Sequence, residues 1–453
     1  MVCSGKVTPV FPWASVGSYE RYCAACALCE FGFLRPLTQH SSSQYDAVIL
    51  GAGAAGLMAA TVAARGGSRV LVLDHGAEPG RKILISGGGR CNFTHLETKP
   101  ECFLSNNKHF ARSALARFTA KDFLAMVERH RIAWHEKARG QLFCDGSARQ
   151  IVAMLMQEAE AAHVEFGFGV KIDQVQRNDA EFRVLTSEGE ITAQSVVLAT
   201  GGLSIPKLGA SDLSLRVAKS FGLSSTATDP ALVPLCIAES DPALAGVSVP
   251  VIASAQNERT GRKAVRFEDG LVFTHRGISG PAVLQISSYW DRNAPVMFNL
   301  APGRDLLADF QALKVSRPRA KPPALLEFLP TRLARSIVDG FPQEMMRTEL
   351  ANVPDRVLKA LAERVGQWSV MPSGTEGYAK AEVMRGGIDT KHLSSQTMEA
   401  RKVPGLFVIG EAVDVTGWLG GHNFQWAWSS GVAAGRGIVA RAQANATVPD
   451  IMP

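Results

Sequence analysis

The stretch that decides the fold is Tyr45-Asp46-Ala47-Val48-Ile49-Leu50-Gly51-Ala52-Gly53-Ala54-Ala55-Gly56. Its apolar, β-branched run up to Leu50 predicts a buried strand, and the residues after the glycines follow a helical pattern. A second strand is predicted at 68–73, and Asp74 ends it. This order of strand, GxGxxG turn, helix, strand and acidic residue predicts a βαβ unit that binds a dinucleotide.

Each glycine of this motif has its own physical role. Gly51 makes the tight turn, Gly53 lets the backbone approach a pyrophosphate, and Gly56 lets the helix pack closely on the strand. The free N–H groups at the start of the helix favour the negative charge of a phosphate. Asp74, about twenty residues further on, is the predicted partner of a ribose hydroxyl.

The far end of the chain favours FAD over a simple nicotinamide cofactor. An apolar run at 403–409 predicts a strand that ends in Gly410-Glu411. Asp414, three glycines (Gly417, Gly420 and Gly421) and a predicted helix at 429–442 follow it. In two-dinucleotide flavoproteins such a late strand returns to the first domain beside the flavin. A helix N-terminus there can stabilise the negative charge that develops on the reduced ring.

A third glycine cluster lies at Ser86-Gly87-Gly88-Gly89-Arg90-Cys91-Asn92. Three successive glycines suit a backbone that presses against a flat ring or a phosphate. Arg81, Lys82 and Arg90 supply positive charge, which lowers the pKa of a nearby thiol. Cys91 is therefore a candidate proton donor, and the equal alternative is a small buried residue.

Two histidines are further candidates for moving a proton at neutral pH. His135 lies in the WHEK run at 134–137, and His422 lies in the GHNFQ run at 421–425. Asn423 is predicted to hold the flavin ring. The THRG run at 274–277 predicts either an anion site or a β-turn.

Composition limits the class of protein. The chain has 453 residues, 46% of them hydrophobic, a formal net charge of +6 and eight cysteines, which are too few for a disulfide scaffold. No apolar run approaches the roughly 20 residues that span a bilayer, so we predict a cytoplasmic protein without a membrane partner. The basic balance permits an anionic partner such as RNA.

The chain divides into four predicted parts. Residues 1–44 form an N-terminal extension, predicted to be poorly ordered, whose Cys23, Cys26 and Cys29 make a CxxCxxC run without a fourth metal ligand at the expected spacing. No metal site is predicted. Residues 45–205 and 386–445 are the two parts of the dinucleotide-binding domain. Residues 206–385 are an insertion that contains a helical block at about 305–370.

From about Tyr45 to about Val439 the sequence resembles the YhiN/BaiN-type bacterial flavoproteins, the YhiN branch in particular. The motifs that carry the resemblance are spread along the whole of this range: GAGAAG at 51–56, PGRKILISGGGRCNFT at 79–94, WHEK at 134–137, GQLFCDGSA at 140–148, ATGGLSIPKLGAS at 199–211, LVFTHRGISGPAVLQISSYW at 271–290, GTEGYAKAEV at 374–383 and TMEARKVPGLFVIGEAVDVTGWLGGHNFQWAWSSG at 397–431.

The resemblance implies an α/β fold, a two-dinucleotide-binding, Rossmann-like FAD domain with an inserted β-barrel-like subdomain and a small helical subdomain. It also implies a set of residues around FAD. On the ADP side these are Gly51, Gly53, Gly56 and Asp74; along the flavin, Arg81, Lys82, Gly88, Gly89, Arg90, Cys91 and Asn92; beneath it, Thr200 and Gly201; and closing it, Gly410, Glu411, Asp414, Gly420, Gly421 and Asn423. Position 422 is more often Tyr in the family, so the resemblance carries no catalytic role to His422.

The resemblance implies reduction of a conjugated C=C bond by hydride from reduced FAD. The YhiN branch is associated with dihydrouridine in large-subunit ribosomal RNA, and other branches act on small enones. The alternatives are a small-molecule flavoenzyme (enone reductase or amine oxidase) and a non-catalytic, FAD-bound RNA or assembly factor. The reductant is NADH or NADPH, although no second GxGxxG is present. Arg317, Arg319 and Lys321 are either phosphate contacts or an ordinary solvated surface.

Overall fold

The computed structural model of the protein describes residues 44–138, 140–178, 181–256, 264–292 and 294–446. The predicted N-terminal extension, save Gln44, and its CxxCxxC run at 23–29 lie outside these residues.

The strands fall into two large sheets and several small ones. In chain order they are β1 (Gln44–Leu50), β2 (Val70–Asp74), β3 (Asn92–His95), β4 (Phe103–Leu104), β5 (Trp134–Glu136), β6 (Gln141–Cys144), β7 (Glu165–Phe168), β8 (Ile172–Arg177), β9 (Phe182–Thr186), β10 (Gly189–Leu198), β11 (Asp229–Ala231), β12 (Leu235–Cys236), β13 (Ser248–Ala255), β14 (Val265–Thr274), β15 (Gly277–Ser279), β16 (Val296–Asn299), β17 (Trp368–Val370), β18 (Gly374–Thr375), β19 (Val383–Arg385), β20 (Leu406–Val408) and β21 (Thr416–Gly417).

The α-helices cover the sheets or form the helical block. In chain order they are α1 (Ala54–Arg65), α2 (Arg81–Ile85), α3 (Arg112–Arg117), α4 (Ala120–Arg129), α5 (Arg149–Ala161), α6 (Leu213–Ser220), α7 (Pro281–Ser287), α8 (Leu306–Ser316), α9 (Thr331–Asp339), α10 (Gln343–Arg347), α11 (Asp355–Gly366) and α12 (His422–Ala446).

The first large sheet is built mainly from parallel strands. Its order is β7-β2-β1-β10-β9-β8, and β20 also pairs with β10. The pairs that join β7, β2, β1, β10 and β20 are all parallel, whereas β8 and β9 are added as antiparallel strands. Strands β1 and β2 are almost wholly buried, which explains why they read as continuous apolar runs.

The second large sheet and the helical block share one hydrophobic core. Its strands are antiparallel throughout, in the order β17-β16-β13-β14-β15-β12-β18. Buried side chains of this sheet, such as Val251 and Phe298, belong to the same apolar cluster as Leu326 and Leu358 of the helical block. The α/β fold class with sheet and helical subdomains is thus confirmed, while the barrel-like closure and the exact domain boundaries stay predictions.

Three elements differ in length from those that the apolar spacing of the sequence predicts, which are one helix at 111–130, one strand at 166–173 and a closing helix at 429–442. The helical pattern at 111–130 forms two helices, because Thr119 caps α4 through a reciprocal capping box with Asp122. The strand predicted at 166–173 is interrupted at Gly169, whose φ is +75°. The closing helix begins seven residues before the predicted Ser429, at His422.

Helix α12 packs against α1 through two glycines. A Cβ atom placed at Gly431 would lie 2.5 Å from the carbonyl oxygen of Ala55, and one at Gly435 would lie 2.8 Å from that of Ala59. Backbone atoms cannot yield as a flexible side chain can, so both positions require glycine for this approach.

Within the described ranges, no helix is long and apolar enough to cross a membrane.

We predict that Gly431→Ala destabilises the protein by about 1–2 kcal/mol. Alanine gains about 1 kcal/mol of helix propensity over glycine, but the steric conflict with the backbone of α1 costs roughly 2–3 kcal/mol, the upper part of the range for overpacking, and outweighs that gain. Urea unfolding followed by circular dichroism measures the difference. Gly374→Ala is the matched control, because a Cβ atom there meets no atom within 4 Å. A Gly431→Ala protein as stable as the wild type would contradict the contact.

Candidate functional site

The carboxyl ends of four parallel strands meet at one edge of the first sheet. These ends are Leu50, Asp74, Leu198 and Val408, of strands β1, β2, β10 and β20. From β1 the chain proceeds to β2 on one side, whereas β10 pairs on the other side. The strand order therefore reverses at β1, and in open α/β sheets ligands bind in the crevice at such a point.

The GxGxxG turn leaves open space only where a phosphate is expected. Gly51 has a φ of +114°, and a Cβ atom there would lie 2.5 Å from the oxygen of Ala199. A Cβ atom at Gly56 would lie 1.9 Å from the oxygen of Gly51. Beside Gly53, however, no protein atom lies within 4 Å of such a Cβ. This gap at the N-terminus of α1 fits a dinucleotide pyrophosphate.

Asp74 joins the end of β2 to the glycine turn. Its two carboxylate oxygens accept hydrogen bonds from the backbone N–H of Ala52 at 2.8 Å and of Gly76 at 2.7 Å. The Arg81 guanidinium lies 3.5 Å from this carboxylate and 3.1 Å from His75. A carboxylate has about four acceptor positions, so a ribose contact fits beside these bonds and stays a prediction.

Lys82 and Glu411, both predicted at the cofactor, form an ion pair. Lys82 Nζ lies 2.5 Å from Glu411 Oε2 and 2.5 Å from the hydroxyl of Ser204. The other carboxylate oxygen accepts from Ser204 at 2.8 Å and from the Met384 N–H at 2.8 Å. The sequence did not identify Ser204, because nothing local separates it from other hydroxyls near the glycines at 201–202.

The loop at 86–89 exposes backbone at one point. Gly87, Gly88 and Gly89 all have positive φ, at 56°, 67° and 83°. A Cβ atom at Gly87 would lie 2.8 Å from the Phe143 ring, but one at Gly88 would meet nothing within 4 Å. Arg90, which follows, is exposed. The open face at Gly88 fits the predicted approach to a flat ring.

Cys91 is completely buried and has a φ of +49°. Burial raises the pKa of its thiol strongly, and a hydrogen bond with Ser86 lowers it only in part. The thiol therefore keeps its proton and has no exposed surface through which to pass it on. This placement fits the alternative of a small buried residue, and the proton-donor role stays a prediction.

Glu382, just before β19, is a carboxyl group that the sequence analysis missed, although it lies within the GTEGYAKAEV motif. Glu382 keeps exposed surface, although many protein atoms lie around its carboxyl. Burial raises its pKa, and the charge of Lys82 lowers it in part. No hydrogen bond to this carboxyl is found in the described part of the chain. Glu382 is thus suited to hold a proton beside Lys82.

The segment after β10 lies beneath the ion pair. The hydroxyls of Thr200 and Ser214 are 2.7 Å apart, which fixes the start of this segment. Gly201 has a φ of +78°, and a Cβ atom at Gly202 would lie 2.8 Å from Glu411 Oε1. The two glycines let this segment pass close under the carboxylate.

The segment after β20 is held by α12. The N–H of Gly410, whose φ is +62°, donates to the Ser430 hydroxyl at 3.1 Å, and the Trp426 indole donates to the Gly410 oxygen at 2.9 Å. Asp414 is buried, and its carboxylate accepts from the N–H of Asn106 at 3.1 Å. These contacts position the loop, and a contact of Gly410 or Asp414 with FAD stays a prediction.

The loop at 417–421, which precedes α12, is in close contact with two other segments. A Cβ atom at Gly421 would lie 2.6 Å from the oxygen of Thr94, and one at Gly420 would lie 3.0 Å from the Gln141 side chain. The Asn423 amide accepts from the N–H of Gly417 at 2.8 Å and donates to its oxygen at 2.9 Å. Asn423 thus orders the loop, and its contact with the flavin ring stays a prediction. Asn92 faces the Gln141 side chain at 3.3 Å.

His422 is buried at the start of α12 and stacks on His95, with ring centroids 4.4 Å apart. Thr98 donates its hydroxyl to the oxygen of His95, so it accepts at 3.2 Å from His422 Nδ1–H. Burial, and then the charge of His95, lowers the pKa of His422 to about 3. His422 is therefore neutral at pH 7, and only its Nε2 could accept a proton.

His135 lies one contact away from the glycine loop. Its Nδ1 is 2.6 Å from Asp145, its ring stacks on Phe143 at 6.0 Å, and Phe143 in turn contacts Gly87. With 40% of its side chain exposed, His135 lies at the surface beside the loop. A catalytic role for either histidine stays a prediction.

We predict that Gly53→Ala weakens FAD binding at least about tenfold, which is about 1.4 kcal/mol, without loss of stability. The φ of −86° at Gly53 is open to alanine, so the fold tolerates the change, but the new methyl group fills the gap that fits the pyrophosphate. Flavin fluorescence quenching during reconstitution of the apoprotein measures the affinity. Wild-type affinity in the variant would show that the gap does not receive the cofactor.

A second prediction concerns His422 and pH. Its folded pKa of about 3 lies below the unfolded value of about 6.5, so the unfolded state binds an extra proton as pH falls below 6.5. Stability should therefore decrease by roughly 2 kcal/mol between pH 8 and pH 5. In His422→Tyr this contribution is absent, and urea unfolding at both pH values should show a correspondingly smaller decrease. Equal decreases in both proteins would contradict the buried, neutral state.

The chain matches known proteins over most of its length. Residues 45–437 match the family described as HI0933-like protein Rossmann domain. The chain is 46% identical over 409 residues to the ribosomal RNA dihydrouridine synthase of Escherichia coli K12, covering 88% of this chain and 98% of that protein. The protein of the same name from Haemophilus influenzae Rd is 43% identical over 406 residues, covering 87% and 99% of the two chains.

A more distant relative has a different substrate in its name. The 3-dehydro-bile acid delta(4,6)-reductase of Clostridium scindens is 29% identical over 411 residues, covering 87% of this chain and 98% of that protein. These matches confirm the resemblance found in the motifs and, with it, the predicted enzyme class of FAD-dependent oxidoreductase. The chain belongs to the HI0933-like Rossmann family.

Proposed function

We propose that this protein is an NAD(P)H-driven, FAD-dependent reductase of a conjugated C=C bond, and that its substrate is uridine in large-subunit ribosomal RNA. The observation that carries the proposal is the 46% identity, over 98% of its length, to a protein named ribosomal RNA dihydrouridine synthase. The gap at Gly53 and the open backbone at Gly88 support it, since both fit a bound FAD. An RNA substrate also supports the predicted cytoplasmic location.

The proposed reaction adds two hydrogens across the uracil C5=C6 bond. Bound FAD would relay the hydride of NAD(P)H to C6, leaving NAD(P)⁺, and a proton donor of the protein would give a proton to C5. The chain would contribute the glycine turn and the N-terminus of α1, which bind the phosphates, and the Lys82–Glu411 ion pair, in which the two side chains balance each other's charge. A positioned proton donor contributes about 10²–10⁴-fold to such a step.

We propose Glu382 as the source of this proton, with Cys91 as the alternative. Glu382 keeps exposed surface, and burial raises the pKa of its carboxyl above that of a fully solvated one. Cys91 also keeps its proton, but it has no exposed surface. A donor must come within hydrogen-bond reach of the acceptor carbon, and its exposed surface leaves Glu382, unlike Cys91, open to such an approach.

A small-molecule enone reductase is the second candidate function. The relative that favours it is the bile acid reductase from Clostridium scindens, at 29% identity over nearly its whole length. This relative shares the class of reaction with our proposal, so the two candidates differ in the substrate rather than in the chemistry. An amine oxidase or a non-catalytic assembly factor has no such support.

Mass mapping of ribosomal RNA from a deletion strain tests the proposed function. We expect the deletion to abolish one dihydrouridine in the large-subunit RNA, and a plasmid copy of the wild-type gene to restore it. A copy with Gly53→Ala should restore it poorly, because that change lowers flavin binding. An unchanged map in the deletion strain would rule out the RNA substrate.

The same complementation separates the two proton donors. Glu382→Gln keeps the shape of the side chain without its acidic proton, and we expect it to leave most of the uridine unreduced. Cys91→Ser should restore dihydrouridine fully. The reverse pattern would assign the proton to Cys91. Flavin content of each purified variant shows whether a loss arises from cofactor binding instead.

A further inference from the structure

The positive charge of this protein is concentrated in one segment. Residues 81–150 contain 13 Lys and Arg and six Asp and Glu, a net charge of +7, whereas the whole chain has a net charge of +6. The remaining residues together therefore carry a net charge of −1. A polyanion is attracted to this segment rather than to the chain as a whole. The segment includes the glycine loop at 86–89.

The glycine loop is bonded to the hairpin of β5 and β6 and to the start of α5. The N–H of Cys144 donates to the oxygen of Arg90 at 2.9 Å, and the N–H of Ala148 donates to that of Gly89 at 2.8 Å. A Cβ atom at Gly87 would touch the Phe143 ring. The hairpin and the start of α5 therefore lie beside the loop.

Three cations lie on these elements, and we call Arg90, Lys137 and Arg149 the loop rim. All three are exposed, and Lys137 Nζ lies 5.3 Å from the centroid of the Phe143 ring. None of them forms an ion pair with a carboxylate in the described ranges. The nearby carboxylates have other partners, because Asp145 pairs with His135 and Glu136 accepts from the N–H of Gly140 at 2.8 Å. The three rim cations are thus left for an anionic ligand to contact.

The helical block offers a weaker case for RNA contact. Residues 301–370 contain 11 basic and eight acidic side chains, a net charge of only +3. Arg317, one of the predicted phosphate contacts, pairs with Glu327 at 3.1 Å. Arg319 and Lys321 are exposed and lie on a different element from the glycine loop. These two side chains serve as a matched control for the loop rim.

We propose that the loop rim binds the phosphates of the RNA nucleotides that flank the reacting uridine. This inference rests on the proposed function. An enzyme that acts on a base must take the base out of the stack, so the backbone on either side lies at the mouth of the site. Cations at the mouth then neutralise those phosphates and supply affinity that does not depend on sequence.

The test is the salt dependence of RNA binding. The double variant Lys137→Gln/Arg149→Gln and the control Arg319→Gln/Lys321→Gln remove the same charge. Binding of holoprotein to protein-free large-subunit ribosomal RNA from the deletion strain is measured between 50 and about 200 mM KCl. The slope of log K against log salt should fall by about 1.5 in the rim variant and remain at the wild-type value in the control.

A charge-conserving variant separates charge from packing. Lys137→Arg/Arg149→Lys keeps both charges and should bind RNA with the wild-type slope. Flavin absorbance and the rate of flavin bleaching by NADPH should be the same in every variant, which shows that the fold and the cofactor site are intact.

Several results would overturn the proposal. The proposal is wrong if the rim variant keeps the wild-type slope of log K against log salt. It is also wrong if this slope falls as much in the helical-block control as in the rim variant. If the wild type does not bind the RNA, the rim proposal and the proposed function fall together. If rim-dependent binding is seen but no dihydrouridine forms, the rim is supported and only the proposed reaction fails.

Discussion

At Gly431 and Gly435 the backbone of α12 lies against α1 with no room for a side-chain carbon between them. Both ends of the site depend on this approach. The N-terminus of α1 follows the GxGxxG turn, and Ser430 and Trp426 of α12 hold Gly410 after β20. Because protein interiors are densely packed, a shift of α12 would also move the loop that contains Glu411 and so disturb the ion pair of Glu411 with Lys82. The contact between α1 and α12, which lie more than 300 residues apart in sequence, thus positions both ends of the site.

The parts that sequence predicts well are those with a local physical cause. Gly51, Gly53 and Gly56 have roles set by a single turn, and the structure shows two of them in close contact and the third beside open space. Ser204 and Gln141 could not be predicted, because their positions depend on pairings with Glu411 and Asn92 across the chain. For the same reason the burial of Cys91 followed from no local pattern.

The chemistry of the site depends on which of its ionisable groups are buried. Burial keeps His422 neutral and leaves Cys91 with its proton, while Lys82 and Glu411 form an ion pair. Glu382 combines a raised pKa with exposed surface, a combination typical of an acid at a functional site. Under our proposals this carboxyl supplies the proton, and the basic segment at 81–150 attracts the anionic substrate.

An anaerobic absorbance titration tests whether this protein is a flavoenzyme that reduces uridine in RNA. Purified protein is reduced with NADPH or NADH, and ribosomal RNA that lacks dihydrouridine is then added. We expect the flavin absorbance to bleach on reduction and to recover when this RNA is added. It should not recover when the added RNA already carries dihydrouridine. A reduced flavin that is reoxidised by small enones and never by RNA would contradict the RNA substrate, and a protein without flavin would contradict the site itself.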